Sequence, residues 1–95
     1  MYKDLDPLLH SQLRLAIVSL LMTSDEVDFN QIKDMTDATS GNISVQISKL
    51  QEAGYIEVVK SFKNNYQNTS LRITKKGIKA FENYVESLKQ YIKPK

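Results

Sequence analysis

The stretch 39-TSGNISVQISKLQEAGY-55 carries a start signal, a buried stripe and a stop signal in one run. The Thr39 hydroxyl is placed to accept from the free amides of a first helical turn. Ala38 and Ile43 stand at the spacing of a hydrophobic staple around it. Ile43, Ile47 and Leu50 recur at i, i+4 and i+7, the period of a helix that buries one face. Gly54 lacks a Cβ and can take the left-handed conformation that satisfies the last carbonyls, with Tyr55 folding back after it. Successive steps of about 100° put Gly41, Ser44, Val45, Ser48, Lys49 and Glu52 on the side away from that stripe.

Most of these outward side chains are small, which lets a helix approach a phosphate row or a groove floor closely. Ser and Lys can bond phosphates, and an outward Val45 can meet a thymine methyl. The same face also suits a solvated side of an ordinary core helix, so the flanking segments decide. Upstream, Asp28 and Gln31 form a capping box for a helix over Phe29 to Met35, with Phe29, Ile32 and Met35 expected to face inward. Thr36 and Asp37 break that helix in a short turn, making a helix-turn-helix with the Thr39 stretch.

Downstream the period changes to two. Ile56, Val58, Lys60 and Phe62 alternate with Glu57, Val59, Ser61 and Lys63, and later Leu71 and Ile73 alternate with Ser70, Arg72 and Thr74, which predicts a β-hairpin. Its expected tip is the long polar loop 63-KNNYQN-68. A helix-turn-helix followed by such a hairpin is a wing arrangement, and the conjunction is more specific than either part.

Thr74 caps a last helix over Lys75 to about Ile92, where Ile78, Phe81, Val85, Leu88 and Ile92 step 3, 4, 3, 4 and Tyr84 and Tyr91 flank the seam. Pro94 stops it. The stripe exceeds what so small a body needs, so pairing with a second copy is expected. At the other end, Pro7 and Asp6 predict a short helix over Leu5 to Leu9. His10 reads as a junction residue. Ser11 caps a run whose Leu13, Ile17, Leu20 and Leu21 form the central core stripe, widened by Leu15 and Val18. Val27 is expected to form a very short strand.

A chain of 95 residues with 41% hydrophobic content supports one compact domain. With no Cys and a single His, zinc and thiol chemistry are excluded. Asp25, Glu26 and Asp28 lack the glycine-centred spacing of a calcium loop. No nucleophile and base pair or phosphate loop occurs, so an enzyme is not expected. No segment approaches 18 apolar residues, and the start MYKDLDPLLH lacks a signal-peptide pattern, so a cytoplasmic protein without membrane contact is expected. Charge is unevenly spread. Residues 1–37 carry seven acids against three bases, whereas residues 38–95 carry four acids against ten bases, the footprint expected of a half that meets a polyanion.

The segments LDPLLHSQLRL, DFNQIKDM, TSGNISVQISKLQEAGYIEV and ITKKGIKAFENYVESL resemble the winged-helix DNA-binding transcriptional regulators related to the MarR and ArsR groups, over nearly the whole chain. The resemblance implies an α+β winged helix-turn-helix fold, one domain over residues 1–95, a recognition helix at Ser40 to Lys49, a wing at Lys60 to Arg72 and dimerisation through a terminal helix at about 75–92. The DNA contacts expected are Thr39, Ser40, Gly41, Asn42, Ser44, Val45, Ser48, Lys49, Lys60, Lys63, Asn64, Asn65, Tyr66 and Arg72, with Tyr66 either on the sugar-phosphate rim or packed on its own hairpin. The dimer contacts expected are Ile78, Phe81, Tyr84, Val85, Leu88, Tyr91 and Ile92, in parallel or antiparallel register. The partner is double-stranded DNA carrying an inverted repeat, no cofactor is expected, and a small effector is left open. The alternative is a winged helix that contacts a protein. The chain departs from the pattern at three points: the wing tip NNYQN lacks the usual Gly, Arg and Lys, Thr36 fills a slot that is usually apolar, and Lys75 and Lys76 oppose the macrodipole at a helix start.

Overall fold

The computed structural model describes residues 2–93, the side chain of Lys63 excepted; Pro94, the expected stop of the last helix, lies outside them. The elements are α1 (Gln12–Thr23), β1 (Val27–Asp28), α2 (Phe29–Thr36), α3 (Ser40–Glu52), β2 (Ile56–Lys63), β3 (Tyr66–Ile73) and α4 (Lys75–Ile92). The three strands form one antiparallel sheet in the order β1-β3-β2. This is a winged helix, α+β, with the β2-β3 hairpin as the wing.

Local chemistry sets each boundary. Ser11 is extended and its side chain accepts from the Arg14 amide, starting α1. Asp28 and Gln31 exchange both hydrogen bonds of a capping box at the head of α2 (2.8 and 2.9 Å). Asp37 ends α2 in the left-handed conformation at φ 57°, which an Asp side chain tolerates better than most. Thr39 then caps α3 by accepting from the Asn42 amide at 3.1 Å.

Ile17, Val18 and Leu21 of α1, Ile32 of α2, Ile43, Ile47 and Leu50 of α3, and Val27, Ile56 and Leu71 of the sheet form one buried cluster with Leu9 and Tyr84. Each fully buried aliphatic chain there contributes about 1.5–3 kcal/mol. The core therefore holds α3 by its Ile43, Ile47 and Leu50 stripe, and the opposite face stays in solvent.

Four expectations change. The helix over Leu5 to Leu9 is a single turn, in which His10 N donates to Asp6 O and Leu8 N to Asp6 Oδ1, both at 2.9 Å. It cannot propagate, because Ser11 must be extended at φ −149° to cap α1, and one turn alone is too short to persist as a helix. Met35 faces outward and is 68% exposed. The inward stripe of α2 runs through Phe29, Ile32 and Thr36, whose hydroxyl bonds back to the Ile32 carbonyl at 2.7 Å. Met35 falls on the far side of Ile32 from that stripe.

The wing tip is not a long loop. Strand pairing continues to Lys63 opposite Tyr66, leaving a two-residue turn of Asn64 and Asn65 at φ 51° and 68°. Two left-handed residues make the turn whose twist matches a hairpin, and Asn is among the few residues that accept that conformation. Tyr84, expected at a dimer contact, is instead 5% exposed inside the protomer's own core. Its phenol oxygen lies 3.1 Å from His10 Nδ1, a polar partner that lets a Tyr be buried.

Candidate nucleic-acid interface

The C-terminal end of α3 is fixed by a chain of backbone contacts. Gly54, at φ 81°, donates to Gln51 O (2.9 Å), and Tyr55 N donates to Leu50 O (3.0 Å). These two bonds close a Schellman motif. Thr74 then ties the motif to the next helix: its amide donates to Tyr55 O (3.0 Å), its hydroxyl donates to Gly54 O (2.6 Å), and the same hydroxyl accepts from Gly77 N (3.0 Å). A Cβ on Gly77 would stand 2.2 Å from the Tyr55 carbonyl oxygen. Only glycine lets α4 lie so close to the chain leaving α3.

From this anchored end, α3 presents Thr39, Ser40, Gly41, Asn42, Ser44, Val45, Ser48, Lys49 and Glu52 to solvent, with Val45 51% exposed. A Cβ built on Gly41 meets nothing within 4 Å. Asn42 is half-engaged, since its side-chain oxygen accepts from Gln46 Nε2 at 2.9 Å. Gln46 in turn accepts from Arg14 Nη1, while Arg14 Nε donates to Leu8 O at 2.6 Å. A polar strut thus joins α3 to α1. The i, i+4 pair Asn42 and Gln46 was readable from spacing; the contact with Arg14, 32 positions upstream of Gln46, had no local signal.

The wing leaves α3 two residues after the Schellman turn and runs for eight residues in each strand, roughly 26 Å at the usual rise. Lys60, Asn64, Asn65 and Tyr66 are all exposed, Tyr66 by 77%. Tyr66 is therefore not packed on its own hairpin. Arg72 sits at the base of the wing, where Nε donates to Glu26 Oε1 at 2.9 Å. Exposed pairs of this kind contribute at most about 1 kcal/mol. Phe62, which the hairpin alternation placed on the face of Ile56 and Val58, extends past the core and is 79% exposed. Sequence reasoning passed over it because β2 outruns the body that its inner face would have covered.

The stripe of α4 is divided between two surfaces. Phe81 and Leu88 pack on the core beside Tyr84, whereas Val85 and Ile92 are exposed, by 37% and 68%. Tyr91 is taken by the N-terminal arm: its ring stacks on Tyr2 at 4.7 Å and its hydroxyl donates to Lys3 O at 3.1 Å. Lys3 N donates to Gln90 Oε1 at 2.8 Å beside it. Asp28 is spent on its capping box, and Glu26 pairs with Arg72.

Residues 13–92 match the family model described as winged helix DNA-binding domain. The chain belongs to that family. The winged helix is 34% identical over 84 residues to an uncharacterised protein of Methanocaldococcus jannaschii, covering 88% of this chain and 91% of that one. Among solved structures it is similar to a transcriptional regulator homologue of Pyrococcus horikoshii, with a TM-score of 0.82, 28% identity, and coverage of 90% and 84% of the two chains. Bacillus subtilis PadR, solved in complex with operator DNA, shares the fold at a TM-score of 0.71 and 18% identity, over 79% of this chain and 47% of PadR. MarR has the same fold. No described helix is long and apolar enough to cross a membrane.

Proposed function

We propose that this winged helix is a cytoplasmic transcriptional regulator that binds double-stranded DNA sequence-specifically as a homodimer. The observation that carries the reading is the exposure of the whole small, polar face of α3 while its buried stripe and C-terminal turn are fixed. A rigid helix with an uncovered face of Gly41, Ser44, Val45 and Ser48 fits the major groove, whose width admits one α-helix. Lys49 on α3 and Lys60 on the wing supply phosphate contacts, with Arg72 at the wing base and the Asn64, Asn65 and Tyr66 tip on the flanking backbone or minor groove.

Ile78, Val85 and Ile92 recur every seven residues along one edge of α4, with Phe81 and Leu88 beside them. Pairing this edge across a two-fold axis covers it and sets two recognition helices about 34 Å apart, which calls for an inverted-repeat operator. The proposed edge leaves out Tyr84, which is 5% exposed within the protomer.

The test is a titration of duplex DNA at several salt concentrations, with sedimentation in parallel. Lys49→Ala and Lys60→Ala should each weaken all duplexes alike and reduce the log-log salt slope by about 0.9, whereas Val45→Ala and Ser48→Ala should change sequence preference. Val85→Asp with Ile92→Asp, both on the exposed edge of α4, should leave folded monomers of low operator affinity. A folded protein with no affinity for any duplex at low salt contradicts the reading. Tight binding of another protein, indifferent to salt, would replace it with a protein-contact module.

A further inference from the structure

The strut between α1 and α3 has a direction. A guanidinium carries donors only, so Arg14 can be met by Gln46 only through its oxygen, as found. That commits the Gln46 amide nitrogen to the other side, where it donates to Asn42 Oδ1 at 2.9 Å. The Asn42 oxygen is thereby turned back along α3. Its NH2 group, with two donors, is left for the solvent face at the third position of the helix. The Asn42 main-chain amide is already held by Thr39 Oγ1 at 3.1 Å, so the residue is fixed at both ends. Among the described residues none receives the two outward donors.

We infer that Arg14 and Gln46 set Asn42 as a donor-only reader, which selects a base edge presenting adjacent acceptors in the major groove. Guanine, with N7 and O6 side by side, is the matching edge. Adenine is the usual partner of a free Asn or Gln, but it needs one donor and one acceptor from the same amide, and the Asn42 oxygen is aimed along α3 at Gln46 Nε2 rather than out into the groove. The inference rests on the proposed insertion of α3 into DNA and adds the base class that the N-terminal part of α3 reads. Gln46 and Arg14 are positioning residues: neither needs to touch DNA.

The experiment is selection from a randomised duplex library by the full chain and its variants, each checked by thermal melting. The parent should enrich guanine at one position in each half-site. Asn42→Ala should flatten that position alone. Gln46→Glu presents only acceptors to both neighbours, so Asn42 turns its NH2 inward and its oxygen outward. The enriched base should then change to one with an exposed amino donor, cytosine or adenine, while the other positions keep their preferences. Arg14→Met removes the direction and should let adenine in beside guanine, which keeps the test alive if Gln46→Glu fails to fold. Retention of an unchanged guanine preference in both Gln46→Glu and Arg14→Met, or no positional change in Asn42→Ala, overturns the inference while leaving DNA binding intact. A parent chain that enriches no sequence overturns the regulator reading and this inference together.

Discussion

The two ends of α3 each carry a glycine, and the two are there for opposite reasons. At the C-terminal end, Gly54 is needed for its positive φ, and the neighbouring helix start needs Gly77 because a Cβ would lie 2.2 Å from a main-chain oxygen. At the N-terminal end, Gly41 lies inside the helix, and a Cβ there would meet nothing within 4 Å. The fold itself has no use for Gly41. A helical glycine costs about 0.5–1 kcal/mol relative to Ala, and the proposed close approach of DNA gives that vacancy a use. One end of α3 is closed by packing, and the other is open, as the proposed DNA contact requires.

The largest effect is expected at the packed end. Gly77→Ala forces α4 away from Tyr55 or distorts the Thr74 joint, and should destabilise the chain by about 3 kcal/mol or more; chemical denaturation measures it. A loss below 1 kcal/mol would mean that the joint is soft and α3 free to tilt. At the open end the sign reverses. Gly41→Ala should raise stability by about 0.5–1 kcal/mol while lowering DNA affinity, because the methyl stands where a phosphate or base edge approaches. Greater stability with undiminished affinity would show that the first turn of α3 does not meet DNA.

The smallest effect concerns Tyr55, directly after the Schellman turn, whose hydroxyl donates to Asp6 Oδ2 at 2.5 Å. Burial first, and then the hydrogen bond and charge of Asp6, push its phenol up to about 12 from 10.0. The folded chain therefore keeps this proton at pH values where the unfolded chain loses it. The contribution is complete below pH 10 and is lost as pH rises from 10 towards 12. Tyr55→Phe should show a flatter decline in stability over that alkaline window, followed by urea midpoints. An unchanged profile would release Asp6 from any role in holding the C-terminal end of α3.

Much of this architecture was legible in local patterns. The Thr39 cap, the Ile43, Ile47 and Leu50 stripe, the Gly54 stop and the Asp28 capping box depend on neighbours within one or two turns, and all formed as their spacing required. What local pattern could not carry was competition between distant groups. Tyr84 was read as a seam residue because its position on α4 is the same whether its own core or a second copy covers it; in the protomer it joins the core cluster, with its hydroxyl 3.1 Å from His10, 74 positions away. Tyr91 also meets distant residues, Tyr2 and Lys3, that no local pattern announced, while staying 46% exposed. Met35 sat at a plausible helical spacing, but Thr36 took the inward place by bonding the Ile32 carbonyl. The wing tip was read as a loop because NNYQN is polar throughout; two consecutive left-handed Asn residues shorten it to a hairpin turn. The exposed faces of α3 and the wing were legible in outline, whereas the strut through Arg14 that orients Asn42 depends on tertiary proximity alone.

The most direct test of the account is selection of bound sequences from random duplex DNA by the unmodified chain at moderate salt, with sedimentation of the bound complex. It should enrich an inverted repeat whose half-site centres lie about one helical turn apart, 10–10.5 base pairs, with two chains on each duplex. Enrichment of no sequence, or of a single half-site bound by one chain, would contradict the account of α3 as a recognition helix carried by a two-fold dimer.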